Sequence, residues 1–258
     1  MDEIKKNKKN VSLVLSGGGA RGAMHIGVLK ALDEHNFNIE AISGTSMGAI
    51  IGLLYCQGIS TDEILKILSN NSFFNFFKYN REKGGFLSMK RIKNIFEKHI
   101  PHNDFKQLKI PFFCCATNLD SGEYKIFNYG DLHNSVIASA SIPIIFKPIM
   151  INKKLYIDGG LFNNLPIQPL IDYGYQNIIG VHADNYKLSD KNDTYTVAEK
   201  VFANILRHNV RPNLAKCDYV IEPYLEKQYG ILDFKKINEL YEIGYQEGKK
   251  LVERLQLT

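Results

Sequence analysis

Hydrophobic positions along the chain switch between two periods. Short, nearly continuous apolar runs at residues 11–15, 39–43, 112–117 and 177–181 fit strands buried on both faces. Between them, apolar residues recur at helical spacing over 23–34, 47–57, 63–68, 132–140, 167–173 and 196–207, and again in a closing helix over 234–254. Shorter strands are predicted at 124–128, 155–157 and 219–221, and Pro143 and Pro148 keep 142–148 extended. Strands alternating with helices predict an α/β fold: a three-layer α/β/α sandwich around a mostly parallel central sheet. Residues 1–10 read as a basic N-terminal arm, with lysines at 5, 6, 8 and 9, and residues 11–258 as one domain.

One segment breaks the rhythm. Residues 72–100 hold six phenylalanines, a Gly84-Gly85 pair and a basic helix over 89–99, which Pro101 ends. Seven Lys or Arg stand there against two acids, a surplus equal to the +5 net charge of the whole chain. Two readings stay open. The segment is a lid or membrane-facing surface, with rings for the interface and cations for headgroups, or it is a pair of amphipathic helices packed over the sheet.

Composition narrows the class without changing the fold. A hydrophobic share of 45% and a charged share of 23% are those of an ordinary globular domain. The four cysteines (Cys56, Cys114, Cys115, Cys217) lack metal-ligand spacing, and the adjacent pair suits buried free thiols. The N-terminus does not resemble a signal peptide, and apolar runs such as 49–56 are too short to cross a bilayer, which points to the cytoplasm.

Candidate chemistry lies where predicted strands end. The first runs into Ser16-Gly17-Gly18-Gly19-Ala20-Arg21-Gly22 and then a helix, an arrangement that aims backbone N–H groups at an anion. These glycines also satisfy GxGxxG at 17–22, so a nucleotide-binding protein is one reading. Its expected ribose-binding acid is poorly placed, because Glu40 opens the second strand rather than closing it. The second strand ends in Gly44-Thr45-Ser46-Met47-Gly48, a serine pinned between strand and helix where a sharp turn would expose its hydroxyl. A third end carries Asp158-Gly159-Gly160. In open α/β sheets, ligands gather at the carboxyl ends of the strands, so these loops could meet. A serine nucleophile needs a base; among seven histidines, His182 after the strand at 177–181 would complete a Ser-His-Asp esterase.

The three motifs, in this order and with Ala140-Ser141-Ile142-Pro143, Phe146-Lys147-Pro148 and Asn164-Leu165-Pro166, resemble the patatin-like phospholipase family over residues 11–181. The resemblance implies a serine–aspartate dyad without histidine: Ser46 as nucleophile, Asp158 as general base and then acid. It implies an oxyanion hole from Gly17, Gly18 and Gly19 with Arg21 beside it. The implied reaction is hydrolysis of a lipid ester, of the phospholipase A or lysophospholipase type, through an acyl-enzyme. The expected partners are a lipid or small ester and a peripheral membrane contact, with no nucleic acid, no metal and no organic cofactor.

Overall fold

The computed structural model describes residues 9–69, 89–185, 194–227 and 229–257. Its centre is an eight-stranded sheet. The strands are β1 (Asn10–Leu15), β2 (Asn38–Thr45), β3 (Phe112–Asn118), β4 (Tyr124–Phe127), β5 (Ile149–Ile151), β6 (Lys154–Asp158), β7 (Ile178–Val181) and β8 (Tyr219–Ile221). They run in the order β5-β6-β3-β2-β1-β7-β8, with β4 also paired to β3. The pairings of β1 with β2 and β7, of β2 with β3, and of β7 with β8 are parallel; those joining β3 to β4 and β6, and β5 to β6, are antiparallel.

Both faces of this sheet are covered, which is why its strands read as continuous apolar runs. Val11, Leu13 and Leu15 of β1 enter the larger core, while Val14 enters a second core with Ala41, Phe113, Leu165 and Val210. An irregular register beside Glu40 pairs Val11 with Ile39 but Ser12 with Ala41. That extra residue is a bulge, and it puts Ile39 and Ala41, two apart, into opposite cores. The larger core is roofed by α1 (Ala23–Glu34), α2 (Met47–Cys56), α3 (Thr61–Ser69), α4 (Lys90–His99), α5 (Leu132–Ser139) and, after α6 (Gly160–Asn163), α7 (Gln168–Asp172) and α8 (Thr194–Leu214), by α9 (Ile237–Leu257). Leu170 of α7 and Val210 and Leu214 of α8 fill the opposite core. The α/β/α sandwich expected from the pattern is present.

Local differences have local causes. Helix α8 runs to Leu214 with Pro212 inside it, beyond the predicted end at 207, and buries Val210 and Leu214. Burial of this last stretch outweighs the proline. The segment 142–148 is a turn and not an extended stretch: the Phe146 N–H bonds the Ile142 carbonyl, and Ile144 has φ 71°. Of the segment 72–100, residues 72–88 lie outside the described residues. The basic helix is there as α4, with Ile92 and Phe96 buried and Lys90, Arg91 and Lys93 exposed.

One strand positions the site. β2 pairs with Phe112 to Cys115 of β3, β4 with Cys114 to Thr117, and β6 with Ala116 to Asn118. A strand has only two edges, and β4 overlaps both other partners, so β2 and β6 must share the edge opposite β4. β2 runs parallel to β3 and ends at Thr45 facing Cys115; β6 runs antiparallel and ends at Asp158 facing Ala116. Their carboxyl ends therefore meet head to head, bringing together residues more than a hundred positions apart in sequence.

Candidate active site

Ser46 occupies the turn between β2 and α2 with φ 53° and ψ −122°. A non-glycine residue there costs on the order of 1–3 kcal/mol and must be held by its surroundings. The two flanking glycines permit the turn sterically: a Cβ on Gly44 would lie 2.7 Å from the Gly48 carbonyl carbon, and one on Gly48 2.4 Å from the Leu15 oxygen. The buried, almost wholly apolar α2 anchors one side. The Ser46 N–H donates to Ser139 Oγ of α5 at 3.0 Å, and Thr45 Oγ1 donates to the Asn163 carbonyl at 3.0 Å.

The Ser46 hydroxyl faces the carboxyl of Asp158 and favours its ionised form. Asp158 is 3% exposed, and its Oδ1 also accepts the Gly160 N–H at 2.7 Å. Burial raises its pKa; the Ser46 hydroxyl and the Gly160 N–H pull the other way but do not win, and the carboxyl is pushed up to about 6. Gly159 allows this approach, since a Cβ there would stand 2.2 Å from the Cys115 oxygen.

The glycine loop after β1 lies against the serine: a Cβ on Gly17 would be 3.0 Å from Ser46 Cβ. The Gly17 N–H is taken by Asn164 Oδ1 at 2.9 Å, whereas among the described residues no bond is drawn from the N–H groups of Gly18 or Gly19. Gly19 has φ +57°, and a Cβ on it would collide with the Ile231 oxygen at 2.1 Å. That oxygen accepts the Ala20 N–H at 2.8 Å. Arg21 is buried beneath the loop; its Nη1 donates to the Tyr229 carbonyl at 2.7 Å, and its Nη2 lies 2.5 Å from Asp184 Oδ1. It acts there as a clamp between the glycine loop and the chain beyond β7.

Beside Ser46 is a narrow pocket of about 30 Å³, walled by apolar side chains including Met47, Met89, Phe146 and Leu232, with Gly19 at its edge. Residues after 181 therefore complete the site, a role that sequence reasoning left unassigned. Asp184 could have been flagged there by the rule that singled out Asp158, an acid just past a strand's carboxyl end. The contacts of Asn164 and Ser139 with the loop and the serine left no local signal.

His182 is not brought to the serine. It follows β7, with β1 between it and β2 in the sheet, and its Nδ1 is 2.7 Å from Glu222 Oε1. Glu222 also accepts from Arg211 Nη1 at 2.8 Å. Burial alone would raise the Glu222 carboxyl, but His182 and Arg211 hold it below the usual range. His25 is buried with Nε2 2.8 Å from the Ser16 carbonyl, and burial drives its pKa down to about 4. Among the described residues, no group of three or more His, Cys, Asp or Glu could hold a metal ion, and no helix is long and apolar enough to cross a membrane.

The chain is 33% identical over 177 residues to an uncharacterised NTE family protein of Mycobacterium tuberculosis, covering 67% of this chain and 47% of that one. It is 26% identical over 292 residues to the lysophospholipase NTE1 of Kluyveromyces lactis, covering 95% of this chain and 19% of that one. It thus spans less than half the length of these curated relatives. Among solved structures, VipD from Legionella pneumophila superposes with a TM-score of 0.55 at 14% identity, over 95% of this chain and 66% of that chain. A chain of the ExoU–SpcU complex from Pseudomonas aeruginosa gives 0.51 at 13%, over 95% and 52%. These likenesses are of fold. The family model for patatin-like phospholipases matches residues 13–171, which hold the glycine loop, the serine turn and Asp158, and the chain belongs to that family.

Proposed function

We propose that the protein hydrolyses a carboxylic ester of a lipid through Ser46, with Asp158 as its base. The observation that carries this reading is the meeting of the β2 and β6 ends, which sets Ser46 beside a buried carboxyl whose pKa is pushed up to about 6. A carboxylate poised there is ionised at neutral pH, yet basic enough to take a proton. Ser46 Oγ attacks the ester carbonyl carbon as its proton passes to Asp158. The oxyanion that forms is stabilised by the N–H groups of Gly18 and Gly19. Gly17 contributes by lacking a side chain, since its own N–H is committed to Asn164. Collapse expels the alcohol, which takes the proton back from Asp158, and leaves an acyl-Ser46. Water, deprotonated by Asp158, then attacks the acyl carbon, and as the fatty acid leaves, Asp158 returns the proton to Ser46 Oγ.

The apolar lining beside Ser46 suits the first carbons of an acyl chain. The lysophospholipase name of the curated relatives supports a lysophospholipid as the substrate. The loops holding Asp184, Tyr229 and Ile231 close on the glycine loop, which supports residues 11–258 working as one hydrolase unit. A nucleotide-binding reading of 17–22 is disfavoured because the Ile231 carbonyl fills the space against Gly19 that a pyrophosphate would need.

A fluorophosphonate ester probe tests the proposal. The expected result is labelling of Ser46 in the folded protein, no labelling of Ser46→Ala, and parallel loss of lysophospholipid turnover. A folded wild type that is not labelled at Ser46 would overturn it.

A further inference from the structure

A second cavity, about 290 Å³, adjoins the Ser46 pocket and shares Met89 with it. Lys90 and Lys93, one turn apart on α4, line it together with Lys147, while Asn134 adds an amide and, among the described residues, no carboxylate lines it. All three lysines are exposed, and Lys93 lies 4.0 Å from Glu97.

The turn at 142–148 joins the two cavities. Ile142 and Phe146 wall the Ser46 pocket, and Lys147 walls the lysine-lined one. Between them Ile144 is 88% exposed and held at φ 71°, a left-handed conformation that strains a β-branched residue. Strained backbone that persists next to a site is a pointer to function. An isoleucine presented to the outside beside three cations combines the two attractions of an anionic bilayer: apolar insertion and headgroup charge.

We propose that this face docks on a membrane surface bearing anionic phospholipids. Ile144 enters the acyl boundary, and Lys90, Lys93 and Lys147 meet headgroup phosphates, which sets the Met89 wall and the Ser46 pocket against the lipid. The proposal deepens the lipid-ester reading above and rests on it for the purpose of docking.

The test is co-sedimentation of the full chain carrying Ser46→Ala with phosphatidylcholine vesicles, with and without phosphatidylglycerol. Binding is expected to be at least about tenfold tighter to the anionic vesicles and to weaken with salt. In the same background Lys90→Gln, Lys93→Gln and Lys147→Gln should each weaken it by about fivefold, from the roughly 1 kcal/mol that one basic residue near an anionic surface is worth. Ile144→Ser should weaken binding to both kinds of vesicle. The same four substitutions made with Ser46 intact should leave turnover of a soluble short-chain ester within about twofold of the parent. Equal binding to neutral and anionic vesicles, or a triple lysine variant that binds as its parent does, would overturn the docking surface. Lysine-dependent vesicle binding by a wild type that hydrolyses neither the soluble ester nor lysophospholipid would sink the hydrolase reading and leave the docking surface standing.

Discussion

Two carboxyl groups stand at the carboxyl edge of the same sheet, one half-buried and one buried, and they are built differently. Glu222, just past β8, is gripped by the His182 imidazole and the Arg211 guanidinium and held below the ordinary carboxylate range. Asp158, at the end of β6, has no cation against it among the described residues; one backbone N–H donates to it, a serine hydroxyl faces it, and it rises to about 6. A carboxylate with a cation beside it is fixed as an ion and ties elements together. One denied that partner, and denied water, keeps a proton within reach. The same residue class becomes a brace at one place and, in the proposed reaction, a base at the other.

The sharpest way to break this contrast is Asp158→Asn. Ester turnover is expected to fall by ~10³ with folding intact by circular dichroism. In the wild type, kcat/KM should rise with pH through about 6, where Asp158 loses its proton, and then level off. Stability should run the opposite way. The folded-state pKa lies above the ordinary 3.8, so the stabilisation present below that value is lost as pH rises through about 6. The asparagine cannot ionise, so its melting temperature should gain on the wild type across that window. A variant that tracks the wild type in both profiles would refute the assignment of Asp158 as base.

A smaller effect is expected at the donors facing the reaction. Gly19→Ala forces a side chain onto the Ile231 oxygen at a left-handed φ, displacing the loop and lowering kcat by ~10², with less change in KM. An unchanged kcat in a folded Gly19→Ala protein would remove the loop from the mechanism.

The smallest catalytic effect belongs to the brace. His182→Gln should change turnover by less than about threefold while lowering stability by about 1–3 kcal/mol in urea unfolding, because it removes a buried donor from Glu222. Loss of activity in a folded variant would revive a histidine-based mechanism.

Much of the site was legible before the fold. The Gly-x-Ser-x-Gly turn carries its own steric logic, and Gly44 and Gly48 sit where a Cβ would strike backbone. Asp158 is marked by its place between an apolar strand and two glycines. Less legible was the division of labour among the glycines, because the commitment of the Gly17 N–H depends on Asn164, 147 positions away. Arg21 was noticed, but its partners, Asp184 and the Tyr229 carbonyl, lie in the stretch where local pattern is weakest. The turn at 142–148 was misjudged for a related reason. Two prolines forbid helix, yet they do not dictate an extended chain when Ile142 and Phe146 have a pocket to fill.

Sequence alone determined every strand but the short β5, most helices, the sandwich class and the candidate serine and aspartate, because period, glycine sterics and buried runs are local properties. Tertiary structure decided which carboxyl faces the serine. β3 has two edges, β4 takes one, and β2 and β6 must then meet end to end on the other. That pairing sets Asp158 against Ser46 while β1 separates His182 from it, and strand pairing of this kind is a long-range choice that no local pattern records.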